Sequence, residues 1–244
     1  MLDRPILKPL IVVPTVNEAE NLDDLLHGIE THAGRAEVLF VDDGSRDGTP
    51  ERIRAHQCRR PGRIHLIERP CKLGLGTAYL AGFRWALARE FDAVIQMDAD
   101  LSHDPADLPR LLEASRRHAA VVGSRYVEGG ATRNWSLPRR LISRLGNVYA
   151  RFVLGHPLMD LTGGYNLWRR EVLVTVPLDA VRSEGYAFQI ELKDRAHRAG
   201  FAVHEIPIVF VDRRVGHSKL SWRVAFEAMI RVWALRFGGP SRGP

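Results

Sequence analysis

The stretch Leu10-Ile11-Val12-Val13-Pro14-Thr15-Val16-Asn17-Glu18 decides the fold. Leu10–Val13 is an apolar run too short for a core helix, and it reads as a strand buried on both faces. Behind the polar lead-in of Asn17 and Glu18, Leu22, Leu25, Leu26 and Ile29 recur at helical spacing. The same alternation continues outward. Val38–Val41, Ile64–Ile67, Ala93–Met97 and Ala119–Gly123 read as further strands, with helices over roughly Gly76 to Arg89 and Asp107–His118. Strands separated by helices predict an α/β fold with a mostly parallel central sheet flanked by helices, and ligands bound beyond the carboxyl ends of the strands.

The second half reads differently. Arg140, Arg144, Asn147 and Arg151 fall within about 60° of one another on a helix, with Leu145, Val148, Tyr149 and Phe152 elsewhere on its surface. This predicts an amphipathic helix with an arginine stripe over Arg139–Leu154. His204–Val211 reads as a late strand. Ser221–Phe237 reads as a C-terminal amphipathic helix, in which Trp222, Phe226, Met229, Ile230, Trp233 and Phe237 form a broad apolar surface beside Arg223, Glu227 and Arg231.

The 244 residues are enough to bury a core without staples, and 45% apolar with 26% charged residues rules out wholesale disorder. Cys58 and Cys71 cannot form a disulfide framework and read as ordinary half-buried thiols, which fits a reducing cytoplasm. No stretch reaches the roughly 18 apolar residues of a membrane span, and the N-terminus lacks a signal-peptide pattern. A net charge of +6 implies an anionic partner: nucleic acid, a phosphate-bearing substrate or anionic lipid.

The informative residues sit at strand ends. Pro14–Glu18 follows the first strand, Asp42-Asp43-Gly44-Ser45-Arg46-Asp47-Gly48-Thr49 the second, and Asp98-Ala99-Asp100 the fourth. In an extended segment alternate residues point the same way, so Asp98 and Asp100 can present two carboxylates to one point. Two hard oxygen ligands, with water and phosphate oxygens completing the shell, suit Mg²⁺ or Mn²⁺ on a diphosphate. A D-x-D motif alone is commonly a plain turn, and Asp42–Thr49 taken alone reads as a turn as well as a site. No G-x-G-x-x-G follows the first strand, and there is no P-loop and no G-x-S-x-G.

Taken together, the three acidic motifs resemble the nucleotide-sugar half of family-2 inverting glycosyltransferases of GT-A type. Later motifs narrow the resemblance: Gly123–Tyr126, Asp160–Tyr165, Glu184–Glu191, and Arg213 with Ser218-Lys219. With them the chain resembles the dolichyl-phosphate (polyprenyl-phosphate) mannosyltransferases over residues 8–237. The resemblance implies one catalytic domain: a nucleotide-sugar half over 8–124, an acceptor half over 125–220 and the helix over 221–237. Pro14, Val16, Glu18, Val41 and Asp43 would surround the guanosine of GDP-mannose. Asp98, Ala99 and Asp100 would bind the donor, with Asp98 and Asp100 reaching the metal. Ser102 stands where the family often offers Gln as a further metal contact. Gln189, Arg213 and Lys219 would approach the donor diphosphate as a C-terminal loop closes. Arg125, Arg139 and Ser143 would hold the phosphate of a polyprenyl monophosphate lipid.

That lipid phosphate is anionic at neutral pH, so the nucleophile arrives deprotonated and no general base is required. His103 and His217 lie near the motifs, but polar loop histidines seldom act as acid–base groups. The activity expected is transfer of mannose from GDP-mannose, with inversion, by a peripheral enzyme at the cytoplasmic face of a membrane. UDP-glucose or UDP-GlcNAc on the same scaffold is the alternative, and a separate membrane-anchoring protein stays open. A nucleic-acid module is disfavoured, because acidic strand ends repel phosphate and no aromatic-interleaved basic patch occurs. The paired Asp98 and Asp100 argue against an inactive sensor.

Overall fold

The computed structural model describes residues 4–212 and 222–237. Its centre is a seven-stranded sheet in the order β3-β2-β1-β4-β7-β5-β8. The members are β1 (Pro9–Thr15), β2 (Glu37–Asp42), β3 (Ile64–Glu68), β4 (Ala93–Gln96), β5 (Ala120–Ser124), β7 (Asn166–Arg169) and β8 (Val203–Pro207). All pairings are parallel except those of β7, which runs antiparallel between β4 and β5. A short second sheet pairs β6 (Ala131–Arg133) with β9 (Val209–Val211).

The continuous apolar runs are explained by cover on both faces. Ile11, Val13, Val38 and Phe40 enter one core with Leu22, Leu25 and Ile29 of α1 (Leu22–Ala33) and Leu108 and Leu111 of α4 (Leu108–Ala114). Leu10, Val12, Leu39 and Val41, of opposite parity, enter a second core with Tyr79 and Phe83 of α3 (Leu75–Leu87) and Phe188 of α7 (Gly185–Arg198). Each such fully buried aliphatic side chain stabilises the fold by about 1.5–3 kcal/mol. Gly82 lets α3 lie close on β1: a Cβ there would stand 2.5 Å from Val12 Cγ1.

Several elements depart from the sequence expectation. β7 is an additional strand whose residues Asn166, Leu167, Trp168 and Arg169 are all buried, so its polar ends mask it from hydropathy. The late strand predicted over His204–Val211 is two: Pro207 lacks an N–H, the ladder with β5 ends there, and the chain crosses to the second sheet. Additional helices are α2 (Thr49–Arg59), α6 (Arg170–Thr175) and α7. Both cysteines are exposed rather than half-buried.

The amphipathic helix forms as α5 (Leu137–Leu154), but inside out relative to an ordinary surface helix. Asn147, Ala150, Val153 and Leu154 face inward, while Leu137, Leu141, Leu145, Val148 and Phe152 are exposed, Phe152 to 88%. Those five recur at spacings of three and four and therefore form one outward apolar stripe. The C-terminal helix is α8 (Trp222–Phe237), whose start at Ser221, and the side chains of Trp222 and Phe226, lie outside the described ones. It rests on α5 through Val232 and the Tyr149 hydroxyl, which donates to Met229 O at 3.2 Å, and leaves Met229, Ile230, Trp233 and Phe237 exposed.

Candidate active site

The carboxyl ends of β1, β2 and β4 lie together, and the loops leaving the first two are laced to each other. The Thr15 hydroxyl donates to the Asp42 carboxylate (2.9 Å), which also accepts from the Ser45 N–H and hydroxyl. Asn17 N–H donates to Ser45 Oγ (2.8 Å) and Arg46 N–H to Asn17 Oδ1 (2.9 Å). Asn17 is itself in the left-handed region (φ 56°), which asparagine tolerates. Ala19 N–H donates to Asp47 (3.0 Å). Burial would raise the Asp47 pKa, but the hydrogen bonds from Thr49 and Ala19 hold it below the usual range. Much of the Asp42–Thr49 motif is therefore a brace that shapes the Pro14–Glu18 loop.

Of the residues expected around the guanosine, Pro14, Val16 and Glu18 are half-buried in that loop. Val41 is wholly buried in the second core, so it supports this region from beneath. Asp43 is also buried. It pairs with Arg69 and accepts the N–H groups of Leu73 (3.2 Å) and Gly74 (3.1 Å), tying β2 to the start of α3.

β4 ends at Gln96, so Asp98 and Asp100 lie in a bend and not on an extended strand. Ala99 between them points into the core. Leu101 takes a left-handed conformation (φ 60°), which turns the chain so that the Ser102 N–H and hydroxyl donate to Asp100 Oδ1 (3.1 and 2.6 Å). Asp98, the more exposed of the two, accepts from the Tyr79 hydroxyl (3.1 Å). Its N–H donates to His103 Nδ1 (3.0 Å), which assigns the ring its Nε2–H tautomer. Burial lowers the His103 pKa against the opposing pull of Asp98 and Asp100. His103 is a neutral brace stacked on Tyr165, not an acid–base group.

Gln189 sits at this point too, buried on α7, with its Oε1 accepting from Asn166 Nδ2 (2.9 Å). A Cβ on Gly164 would stand 3.4 Å from His103 Cε1, 3.6 Å from Gln189 Nε2 and 3.9 Å from Asp98 Oδ1. The three groups therefore surround one point beside the Gly164 backbone. Gln189 is thus fixed beside Asp98 by the fold. Arg213, Lys219 and His217 lie outside the described residues.

Of the residues expected to hold the acceptor, Arg125 and Arg139 lie at Trp135 and Ser143 at Tyr126. The Arg139 guanidinium lies 4.1 Å from the Trp135 ring centroid, Arg125 lies 5.5 Å from it, and the Ser143 hydroxyl bonds the Tyr126 hydroxyl at 2.7 Å. Arg125, however, is buried and committed. Its Nε and Nη2 grip both oxygens of Asp160 (2.7 and 2.8 Å), and Nη2 also reaches Thr162 Oγ1 (2.7 Å). In this structure the residue expected to help hold the acceptor phosphate is thus already paired with a carboxylate. Phe210 joins the two centres, its ring 5.5 Å from that of His103 and 5.4 Å from that of Trp135.

The family profile for glycosyl transferase family 2 matches residues 10–176. The chain belongs to that family. The glycosyltransferase is 45% identical over 236 residues to a polyprenol monophosphomannose synthase of Mycolicibacterium smegmatis, covering 96% of this chain and 89% of that protein. It is 43% identical to an undecaprenyl-phosphate mannosyltransferase of Micrococcus luteus, covering 94% and 95%. In fold it is similar to the crystal structure of glucosyl-3-phosphoglycerate synthase from Mycobacterium tuberculosis in complex with Mn²⁺, UDP and glucosyl-3-phosphoglycerate. That likeness has a TM-score of 0.66 at 21% identity and covers 97% of this chain and 82% of that one. The glycosyltransferase thus has the GT-A fold expected.

Several residues that build the site were not foreseen. Asn147, which the sequence places on the arginine stripe of α5, points inward. Its Oδ1 accepts the N–H groups of Leu161 and Thr162, and its Nδ2 donates to Thr162 Oγ1. Lys193 is fully buried on α7, and its three N–H donors meet the carbonyls of Asp160 (3.2 Å), Leu161 (3.1 Å) and Gly163 (2.6 Å). Burial brings its pKa down to about 7, against the raising influence of Asp160. Together with Tyr79 under Asp98, these residues fix the 160–164 loop against the donor end of the sheet. A polar side chain with inward placement leaves no signal in the sequence of an exposed-looking helix.

A divalent cation fits the carboxylate pair. Asp98 and Asp100 offer hard oxygen donors, and among the described residues no group of three or more His, Cys, Asp or Glu side chains could hold an ion alone. The remaining ligand positions would fall to water and to the donor's phosphate oxygens, the usual arrangement for Mg²⁺ or Mn²⁺.

Proposed function

We propose that the protein transfers mannose from GDP-mannose to a polyprenyl monophosphate with inversion, giving a β-linked polyprenyl-phosphate mannose. The observation that carries this reading is Arg139 stacked on Trp135 at the start of α5, with Ser143 one turn further along the helix. This pair lies one aromatic ring, Phe210, away from the Asp98 bend and at the root of a helix whose outer face is apolar. An anion site beside a lipid-ready surface suits a prenyl phosphate better than a free sugar alcohol. The names of the two curated relatives support the same substrate class.

In this reading Pro14, Val16, Glu18 and Asp43 frame the nucleoside, with Val41 behind them, and Gln189 and the Ala99 backbone line the sugar diphosphate. Asp98 and Asp100, oriented by Tyr79 and Ser102, would hold Mg²⁺ or Mn²⁺, which when bound neutralises charge on the leaving diphosphate. Arg213 and Lys219 are assigned to the same diphosphate. Arg139 and Ser143 take the acceptor phosphate, with Arg125 fixed behind them by Asp160. One phosphate oxygen forms the new bond to the anomeric carbon while the bond to the diphosphate breaks and its electrons leave with GDP. A single displacement inverts that carbon. A phosphate monoester needs no deprotonation at pH 7, which agrees with a buried, neutral His103. A panel of radiolabelled GDP-mannose, UDP-glucose and UDP-GlcNAc with one C55 polyprenyl phosphate tests the donor. Product from GDP-mannose alone is expected, and product from a UDP-sugar in its place overturns the assignment.

The same reading places the protein on the cytoplasmic face of a membrane without crossing it. No helix among the described residues is long and apolar enough to span one. The exposed stripe of α5 is flanked by exposed Arg140 and Arg144, the composition of an in-plane interfacial helix. Leu145→Glu with Phe152→Glu should leave stability within about 0.5 kcal/mol, since both side chains are exposed. Each loses about 1.5–3 kcal/mol of burial in lipid, so partition onto anionic vesicles should drop about 100-fold or more. Liposome flotation reads this directly. Binding that persists in the double variant would place the contact elsewhere.

A further inference from the structure

We infer that Asp212 is a placeholder anion, occupying Arg139 until the dianionic acceptor phosphate displaces it and returning when the singly charged product forms. This rests on the reading of Arg139 as a ligand of the acceptor phosphate. Arg139 Nη1 donates to both oxygens of Asp212 at 2.7 and 2.8 Å. The pair is partly open, with the side chains 15% and 29% exposed, unlike the sealed Arg125–Asp160 pair at 4% and 0%. Neither partner depends on the other for its place. Trp135 carries the guanidinium on its ring face, and the Asp212 main chain is pinned by its N–H to Arg133 O (3.1 Å), at the end of the β6–β9 ladder.

The charges give the pair its use. Asp160 pairs with Arg125 and Asp212 with Arg139, so an incoming anion meets each guanidinium already holding a carboxylate. Coulomb attraction to a guanidinium scales with the charge of its partner, so a phosphate monoester near −2 outcompetes a carboxylate for Arg139. A chloride, a carboxylate or a phosphodiester carries one charge and has no such advantage. The transfer reaction converts a monoester into a diester, so its product loses the charge that displaced Asp212. The carboxylate then favours product release and keeps singly charged anions out. Asp212 is a specificity-determining and positioning residue; it need not touch the reacting atoms.

The test uses the full-length protein and two C15 probes, farnesyl phosphate and farnesyl methyl phosphate, titrated by calorimetry without donor. Asp212→Asn should bind both more tightly, by about fivefold for an ion pair of this exposure. In turnover, acceptor KM and kcat should fall together as release slows. Arg139→Ala should weaken farnesyl phosphate, and adding Asp212→Asn to it should change nothing further. Asp212→Ser repeats the measurement should Asn retain a hydrogen bond to Arg139. If Arg139→Ala weakens binding while both Asp212 variants bind folded but unchanged or weaker, the placeholder is overturned and the acceptor site stands. If Asp212→Asn still tightens binding in the Arg139→Ala background, a general field effect replaces the exchange. If Arg139→Ala changes nothing, the acceptor assignment fails and this inference fails with it.

Discussion

Asp100→Asn should lower kcat by about three orders of magnitude while the protein stays folded. Removing one hard anionic ligand from a site that neutralises a leaving diphosphate costs several kcal/mol in the barrier, and about 4 kcal/mol is a thousandfold in rate. The isosteric amide can still accept from the Ser102 N–H and hydroxyl, which now reach Asp100 Oδ1 at 3.1 and 2.6 Å, so the bend at Leu101 should survive. Two readouts separate the metal from a general loss of shape. Free Mn²⁺ followed by electron paramagnetic resonance should show binding by the wild type with GDP and markedly weaker binding by the variant. Thermal unfolding without metal should differ little between them. Full activity after metal stripping in excess EDTA would sink the assignment.

How much of this was legible beforehand follows from which physics each feature uses. The parallel core was readable because strands covered on both faces must be apolar at every position, as Leu10–Val13 and Val38–Val41 are. β7 was not, because its ends Asn166 and Arg169 are satisfied by distant partners: Gln96 and Gln189 for one, Ser115 for the other. Long-range satisfaction has no local signature. The amphipathic character of α5 was visible in its spacing, but which face points inward was not. Periodicity says that two faces differ, and only the neighbours decide which of them is buried. In α5 the inward face is anchored by Asn147, and the apolar stripe is left outside. The acidic motifs meet at the carboxyl ends of β1, β2 and β4, and there their structural roles divide. Asp42 and Asp47 brace loops, whereas Asp98 and Asp100 are the pair presented at the strand end.

Arg125 shows the same division most sharply, and its substitution should act first on stability. Its guanidinium and the Asp160 carboxylate are both buried, and Asp160 also accepts from the Arg125 and Gly163 N–H groups. Arg125→Ala leaves Asp160 charged, buried and short of its main partner, which should cost about 3–5 kcal/mol and lower Tm by roughly 10 °C. Arg125→Lys should recover only part, since an ammonium cannot make the forked contact. The pH dependence distinguishes a broken pair from a simple cavity. Burial would raise the Asp160 pKa, but the charge and hydrogen bonds of Arg125, helped by Lys193, hold it at about 2 against an ordinary 3.8. A carboxyl that titrates lower in the native than in the unfolded chain contributes stability that is complete above about 3.8 and lost as pH falls toward 2. In Arg125→Ala the balance tips the other way. Desolvation then favours the neutral acid, so the folded pKa rises above the unfolded value and the variant loses stability as pH increases from 4 toward 7. The gap between wild type and variant, measured by urea unfolding, should therefore be widest near pH 7 and narrow as pH drops to 4. A gap that stays constant across that range would mean that the Asp160 charge is compensated elsewhere, with Lys193, the other buried cation at this loop, carrying it.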